Sequence, residues 1–331
     1  MEIERLDVSA EEREQARNIV TMVEQVMATM PSITAVEPAE TRRQRAEGNT
    51  VLPVPEKLDH AIERTIPGPT GEVPLRMIVP DDVRGVYLHI HGGGWTLGAA
   101  DQQDLLLDFF ATELGVAVVS VEYRLGPEDP YPAGPDDCEA AAAWLVANAR
   151  SEFGSDRLLI GGESAGAHLS AVTLLRMRDR HGAADRFLGA NLVFGLYDFG
   201  LTPSVRRWGD RNLVLSTPII EWFAGCFLGA MPREQRRDPD ISPLHADLTG
   251  LPPAFFTVGA LDPLLDDSLF MAARWDAAGN HAEIVVCPES IHGFTAFPNS
   301  IGLRSLAQQS GFLKRRLDVA SVPGGSEHIE H

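Results

Sequence analysis

Residues 158–170 read Leu158-Leu159-Ile160-Gly161-Gly162-Glu163-Ser164-Ala165-Gly166-Ala167-His168-Leu169-Ser170, a strand running into a helix. Its first half is a short apolar run, of the kind buried on both faces of a parallel sheet. Its second half runs on through Ala171-Val172-Thr173-Leu174-Leu175, a helix former. Ser164 stands where strand gives way to helix, with Gly162 two residues before it and Gly166 two after, the G-x-S-x-G spacing. A turn this tight holds the serine in a strained backbone conformation, and the two glycines leave room for neighbouring backbone to come close. The helix N-terminus behind the serine presents free N–H groups and a partial positive charge.

Outward from this elbow the same rhythm repeats. Apolar runs at 85–91, 116–123, 190–196, 254–260 and 282–288 read as further buried strands, and helical stretches at 101–114, 135–150, 165–180, 265–279 and 303–317 lie between them. Strand–helix alternation implies right-handed crossovers and a central, mostly parallel sheet: an α/β fold. Residues 60–67 and 73–80 read as two more strands joined by the turn Gly68-Pro69-Thr70-Gly71. Residues 9–30 form a helix with Ile19, Val20, Val23, Val26 and Met27 on one face, a capping box of Ser9 with Glu12, and a stop at Pro31. Residues 31–58 are polar, without a period, and read as loop. The interval 198–245, with Trp208, Trp222, Phe223 and Phe227, is too long for a strand connection and reads as a helical insertion. With the N-terminal helix it is expected to cap the C-terminal edge of the sheet, where open α/β folds bind ligands. The chain thus divides into an N-terminal cap segment (1–50), a core in two parts (51–197 and 246–320), a cap insertion (198–245) and a disordered tail (321–331).

Composition excludes several functions. The 331 residues carry a net charge of −19, which disfavours nucleic acid and anionic membranes as partners. No apolar run approaches the roughly 18–20 residues of a membrane span. The N-terminus lacks the pattern of a signal peptide, so a cytoplasmic location is expected. Cys138, Cys226 and Cys287 are widely spaced and odd in number. They make neither a disulfide framework nor a zinc pattern and read as small core hydrophobes; no metal or cofactor is expected.

The chemistry gathers at strand ends. A serine nucleophile needs N–H donors aimed at the oxyanion that forms on attack. One is the N–H of Ala165. Others must come from a loop that enters backbone-first, and His91-Gly92-Gly93-Gly94, after the strand 85–91, is such a loop. Gly93 and Gly94 are assigned to the oxyanion hole; His89 and His91 read as structural, holding the loop. A base and its orienting acid must follow the serine in chain order. Asp262 follows the strand 254–260 and His292 the strand 282–288, at the edge where Ser164 emerges. Asp266, a helical turn further on, is the rival for the acid. His281 lies at the wrong end of its strand, and His168 has no matching context.

These residues, His91-Gly92-Gly93-Gly94-Trp95, Tyr123-Arg124-Leu125, Gly162-Glu163-Ser164-Ala165-Gly166, Asp262-Pro263-Leu264 and His292-Gly293-Phe294, resemble in order and spacing the bacterial hormone-sensitive-lipase-like esterases of the α/β-hydrolase superfamily. The resemblance spans most of residues 80–300. It implies an eight-stranded, mostly parallel sheet, a two-part helical cap, and hydrolysis of short- to medium-chain carboxylic esters without a cofactor. The partner is then a small-molecule ester, and the enzyme a monomer or homodimer. Many family members carry Asp and Gly where this chain has Glu163 and Ala167; Glu163 is expected to support a loop beneath the nucleophile. Trp95, Trp208, Trp222, Phe223 and Phe294 are the candidates to line the substrate pocket. The same triad would also serve an amidase, lactonase or deacetylase, and the scaffold a ligand-binding protein or an interfacial lipase.

Overall fold

The computed structural model describes residues 1–48 and 56–319. The expected tail at 321–331 lies outside them, as does part of the stretch read as loop. Nine strands among the described residues form one sheet: β1 Glu2–Arg5, β2 Ile62–Gly68, β3 Gly71–Ile78, β4 Gly85–Ile90, β5 Val116–Val121, β6 Leu158–Glu163, β7 Phe187–Val193, β8 Ala254–Leu261 and β9 Ala282–Ile291, in the spatial order β1-β9-β8-β7-β6-β4-β5-β3-β2. Only β3 runs against the others. Every residue of β4, β5 and β6 is buried, as expected for strands covered on both faces.

The helices follow the strands. They are α1 Ala10–Thr29, α2 Pro38–Ala46, α3 Asp104–Leu114, α4 Ala133–Phe153, α5 Ala165–His181, α6 Pro203–Trp208, α7 Thr217–Leu228, α8 Leu265–Ala277 and α9 Ser300–Asp318. α3 packs with α9 on one face of the sheet and α4 with α5 on the other. α1 carries both bonds of its capping box, Glu12 N–H to Ser9 Oγ at 3.1 Å and Ser9 N–H to Glu12 Oε2 at 2.7 Å.

Two elements depart from the sequence reading. The sheet has nine strands rather than eight, because β1 is an added edge strand, parallel to β9 from Glu2 opposite Glu283 to Arg5 opposite Val286. Its four residues are all exposed and half of them acidic, so no apolar alternation announces it. Within the expected loop 31–58, Pro38–Ala46 is helical. α2 has almost no apolar face. It is held by charge instead: Arg43 bonds Glu40 and Glu47, and Arg42 reaches the carbonyl oxygen of Thr96 at 2.7 Å. The interval 198–245 holds α6, α7 and two short 3-10 turns between β7 and β8. It touches the N-terminal segment, where Ile33–Ala35 packs on α7 and Arg211 pairs with Glu24 at 2.8 Å.

Candidate active site

Ser164 links β6 to α5 with φ 57° and ψ −118°, a backbone conformation a non-glycine residue adopts only when its surroundings enforce it. The enforcement is visible on either side. A methyl group at Gly162 or at Gly166 would overlap the carbonyl oxygen of Ile90 at the end of β4. Strand, serine and helix can meet this closely only with glycine at both positions.

Asp262 is the residue after β8 and His292 the residue after β9. The parallel sheet therefore brings both to the edge where Ser164 stands. His292 Nε2 lies 2.9 Å from Ser164 Oγ, and His292 Nδ1 lies 2.9 Å from Asp262 Oδ2. Asp262 is 1% exposed and also accepts the N–H of Leu264 at 2.8 Å, which fixes its plane. A carboxylate at Nδ1 keeps the proton on that nitrogen, leaving Nε2 to accept from the serine hydroxyl. Asp266, the rival acid, is turned elsewhere: it accepts the N–H of Ser204 at 2.7 Å and so holds the start of α6.

The glycine loop runs against the elbow. A methyl at Gly92 would stand 2.8 Å from the carbonyl oxygen of Glu163 and 3.5 Å from Ser164 Cβ. Gly93 and Gly94 have φ of 114° and 61°, and Trp95 follows at 58°. Among the described residues no acceptor is found for the N–H groups of Gly93, Gly94 or Ala165. The loop is tethered around its rim. Tyr123 donates its hydroxyl to the carbonyl of His91 at 3.0 Å, Gly126 donates its N–H to that of Trp95 at 2.9 Å, and Arg42 bonds Thr96. His91 stacks on Tyr123 with centroids 4.2 Å apart and donates Nδ1–H to the carbonyl of Gly92. Burial pulls its pKa down to about 4, so it stays neutral.

Glu163 does not reach the loop itself. It accepts from His89 Nε2 at 3.1 Å, and His89 Nδ1 lies 2.9 Å from Ser120 Oγ, so the acid props β4, the strand that leads into the loop. Of the pocket candidates, Phe223 lies against the loop, its ring where a methyl of Gly94 would be, and Trp222 is tilted against it at 5.0 Å. Phe294 sits edge-on to Phe194 at 6.1 Å. Trp208 is half-buried and donates its indole N–H to the carbonyl of Arg211. Trp95 is 4% exposed, its ring packed among His168, Phe199 and Phe227. Phe194 is absent from the sequence reading, yet its ring stands edge-on to His292 at 4.8 Å. Its position one residue past β7, at the same edge as Ser164, is the signal that would have found it. Cys138 and Cys287 are buried, and burial pushes the Cys287 thiol up to about 12. Among the described residues no group of three His, Cys, Asp or Glu side chains is arranged to hold a metal ion.

A parallel sheet with a strained serine at one strand end, and acid and histidine at two later ones, defines the α/β-hydrolase class. A family profile described as alpha/beta hydrolase fold matches residues 87–296, and the chain belongs to that family, in its hormone-sensitive-lipase-like branch. The chain is 33% identical over 320 residues to the carboxylesterase NlhH of Mycobacterium tuberculosis, an overlap of 91% of this chain and 97% of that protein. It is 35% identical over 256 residues to the carboxylic ester hydrolase LipN of the same organism, covering 73% of this chain and 66% of that protein. A hyperthermophilic esterase from Pyrobaculum calidifontis superposes with a TM-score of 0.81 at 27% identity, over 94% of this chain and 99% of that one.

Proposed function

We propose that this protein is a serine carboxylesterase that hydrolyses short- to medium-chain carboxylic esters. The observation that carries the reading is the unbroken line from Asp262 through His292 to Ser164, with 2.9 Å at each step. Ser164 Oγ attacks the ester carbonyl while His292 Nε2 takes its proton. The carbonyl oxygen becomes an oxyanion received by the N–H groups of Gly93, Gly94 and Ala165, for which no other acceptor is found among the described residues. The intermediate collapses, the alcohol leaves with the proton held by His292, and the acyl group stays on Ser164. Water then repeats the attack with His292 as base and releases the acid. Asp262 holds the imidazole in the required tautomer and stabilises its charged form. Phe223 against the glycine loop and Phe194 beside His292, with Trp222 and Phe294 packed on them, form the apolar walls of the proposed site. The N-terminal segment and the insertion 198–245 act as its cap, and a small ester is the partner. No helix among the described residues is long and apolar enough to cross a membrane. The three unpaired cysteines fit the cytoplasmic setting expected from the sequence.

The test is hydrolysis of 4-nitrophenyl esters from acetate to dodecanoate, beside the matching anilides. Wild type is expected to favour short acyl chains and to prefer esters to anilides. Ser164→Ala should lose about 10⁵-fold in kcat while remaining folded. A folded Ser164→Ala variant with wild-type turnover overturns the assignment.

A further inference from the structure

His168 lies in α5, one turn past Ser164, in a stretch of the helix that is buried on every side. It is fully buried, and both ring nitrogens are engaged. Trp95, the residue that follows the three glycines, donates its indole N–H to His168 Nδ1 at 3.0 Å. A nitrogen that accepts carries no proton, so the proton lies on Nε2, which is 2.7 Å from the carbonyl oxygen of Ile241 and donates to it. The two bonds demand the same tautomer. Burial pulls the imidazole pKa down to about 4, which keeps it in that neutral form.

This ring joins three parts of the chain. Trp95 belongs to the glycine loop, His168 to the helix behind the nucleophile, and Ile241 to the insertion. Phe199 and Phe227, also from the insertion, close the cluster: Trp95 lies 4.8 Å from Phe199 and 5.0 Å from Phe227, and His168 lies 5.3 and 6.0 Å from the same rings. The segment carrying Ile241 is pinned next door. Arg176, two turns along α5 from His168, bonds both carboxylate oxygens of Asp240 at 2.7 and 2.6 Å. The loop needs such an anchor. Gly93, Gly94 and Trp95 occupy three successive positive-φ conformations, and only glycine holds one cheaply; Trp95 at 58° is held by the bond from Gly126 N–H to its carbonyl and, on the side-chain side, by His168.

We propose that His168 is a positioning residue for ester hydrolysis: by accepting the indole N–H of Trp95 it fixes the glycine loop in the conformation that receives the oxyanion, and by donating to Ile241 it ties that loop to the insertion. The proposal rests on the esterase reading above. An oxyanion forms only after attack. Loosening the loop therefore weakens the transition state and leaves ground-state binding of the ester nearly untouched.

The experiment compares Trp95→Phe, His168→Leu, His168→Asn and the double variant Trp95→Phe/His168→Leu with wild type. It measures kcat and KM for 4-nitrophenyl butyrate, affinity for a trifluoromethyl ketone that forms a tetrahedral adduct with the serine, and Tm. Trp95→Phe keeps an aromatic ring and deletes the donor. A shift of the loop by a fraction of an ångström is expected to lower kcat about 10- to 100-fold in both single apolar variants, with KM within about 3-fold of wild type. The ketone should weaken by the same factor as kcat/KM. The double variant should be no worse than the poorer single one, because both break the same bond. His168→Asn, whose carbonyl oxygen takes the place of Nδ1, should regain most of the loss. A Trp95→Phe variant that folds and keeps kcat within about 3-fold of wild type overturns the proposal, as do losses that multiply in the double variant. The indole N–H of Trp95, followed by NMR, separates this idea from the esterase reading. Wild type inert toward esters, with an indole proton protected only while His168 is present, overturns the esterase reading and leaves the tether standing. An indole proton that exchanges equally fast in wild type and His168→Leu overturns the tether.

Discussion

At the scale of single residues, the same substitution has opposite signs at different glycines. Gly166→Ala would drive a methyl into the carbonyl oxygens of Ile90 and His91, which are backbone and cannot swing aside. It should cost about 3 kcal/mol in urea denaturation, the upper part of the range for overpacking, and should displace the elbow. Gly225 lies inside α7, is exposed, and has open space on every side where an added methyl would stand. Gly225→Ala should therefore raise stability by about 0.5–1 kcal/mol, since alanine loses less backbone entropy on forming helix. A destabilised Gly225→Ala, or an unaffected Gly166→Ala, would show that space around the backbone is not what selects glycine here. Ser164, Asp262 and His292 were legible from motif and chain order because each lies beside a strand end that the apolar runs mark. His168 and Phe194 were not. Their surroundings come from groups far apart in sequence: the Trp95 indole and the Ile241 carbonyl for the first, the His292 ring for the second.

At the scale of elements, α8 does more than follow β8. Its first turn carries Asp267, which accepts the N–H groups of Tyr197 and Asp198 at 2.7 and 3.0 Å and the hydroxyl of Thr202 at 2.6 Å. These residues stand where the insertion leaves the core, so one carboxyl group fixes its stem. Burial pushes the Asp267 pKa up to about 7, against about 3.9 in an unfolded chain. Between these values the unfolded chain has released the proton while the folded one keeps it. Stability from this group is therefore complete below the unfolded value and is lost as pH rises through about 7. Asp267→Asn preserves the geometry and does not titrate. Its stability relative to wild type should grow by about 2–3 kcal/mol from pH 5 to pH 7, at 1.36 kcal/mol per unit, and level off above. Parallel denaturation series across that range decide it; a difference independent of pH would mean that Asp267 is ionised in the fold throughout. The sequence reading placed α8 as a helical stretch at 265–279. It did not show α2 or β1, because ion pairs and edge pairing hold those elements and neither leaves an apolar period.

At the scale of the whole molecule, β1 closes one edge of the sheet. Without it β9 would present a row of unpaired backbone groups, a template for a second copy. β1 itself is short and carries Glu2, Glu4 and Arg5, which blunts the new edge. Deleting residues 1–5 should promote self-association, more so at high salt, where the repulsion of molecules with a net charge of −19 is screened. Sedimentation of the truncated and full chains at two salt concentrations tests this; identical behaviour would deny β1 a protective role. The α/β class and the parallel core could be read from the amino-acid sequence, which also marked the Gly162–Gly166 turn, the glycine loop and the chain order of Ser164, Asp262 and His292 as the candidate site. Those are local signals: apolar runs, turn glycines, and the rule that reactive side chains follow strand ends. That Asp262 rather than Asp266 meets His292, that Trp95 is bound to His168, and that the sheet of the described residues has nine strands rather than eight emerged only from the packed chain. The reason is physical. A contact between distant segments depends on register, side-chain direction and which groups burial leaves in need of a partner, and none of these is set until the whole chain has packed.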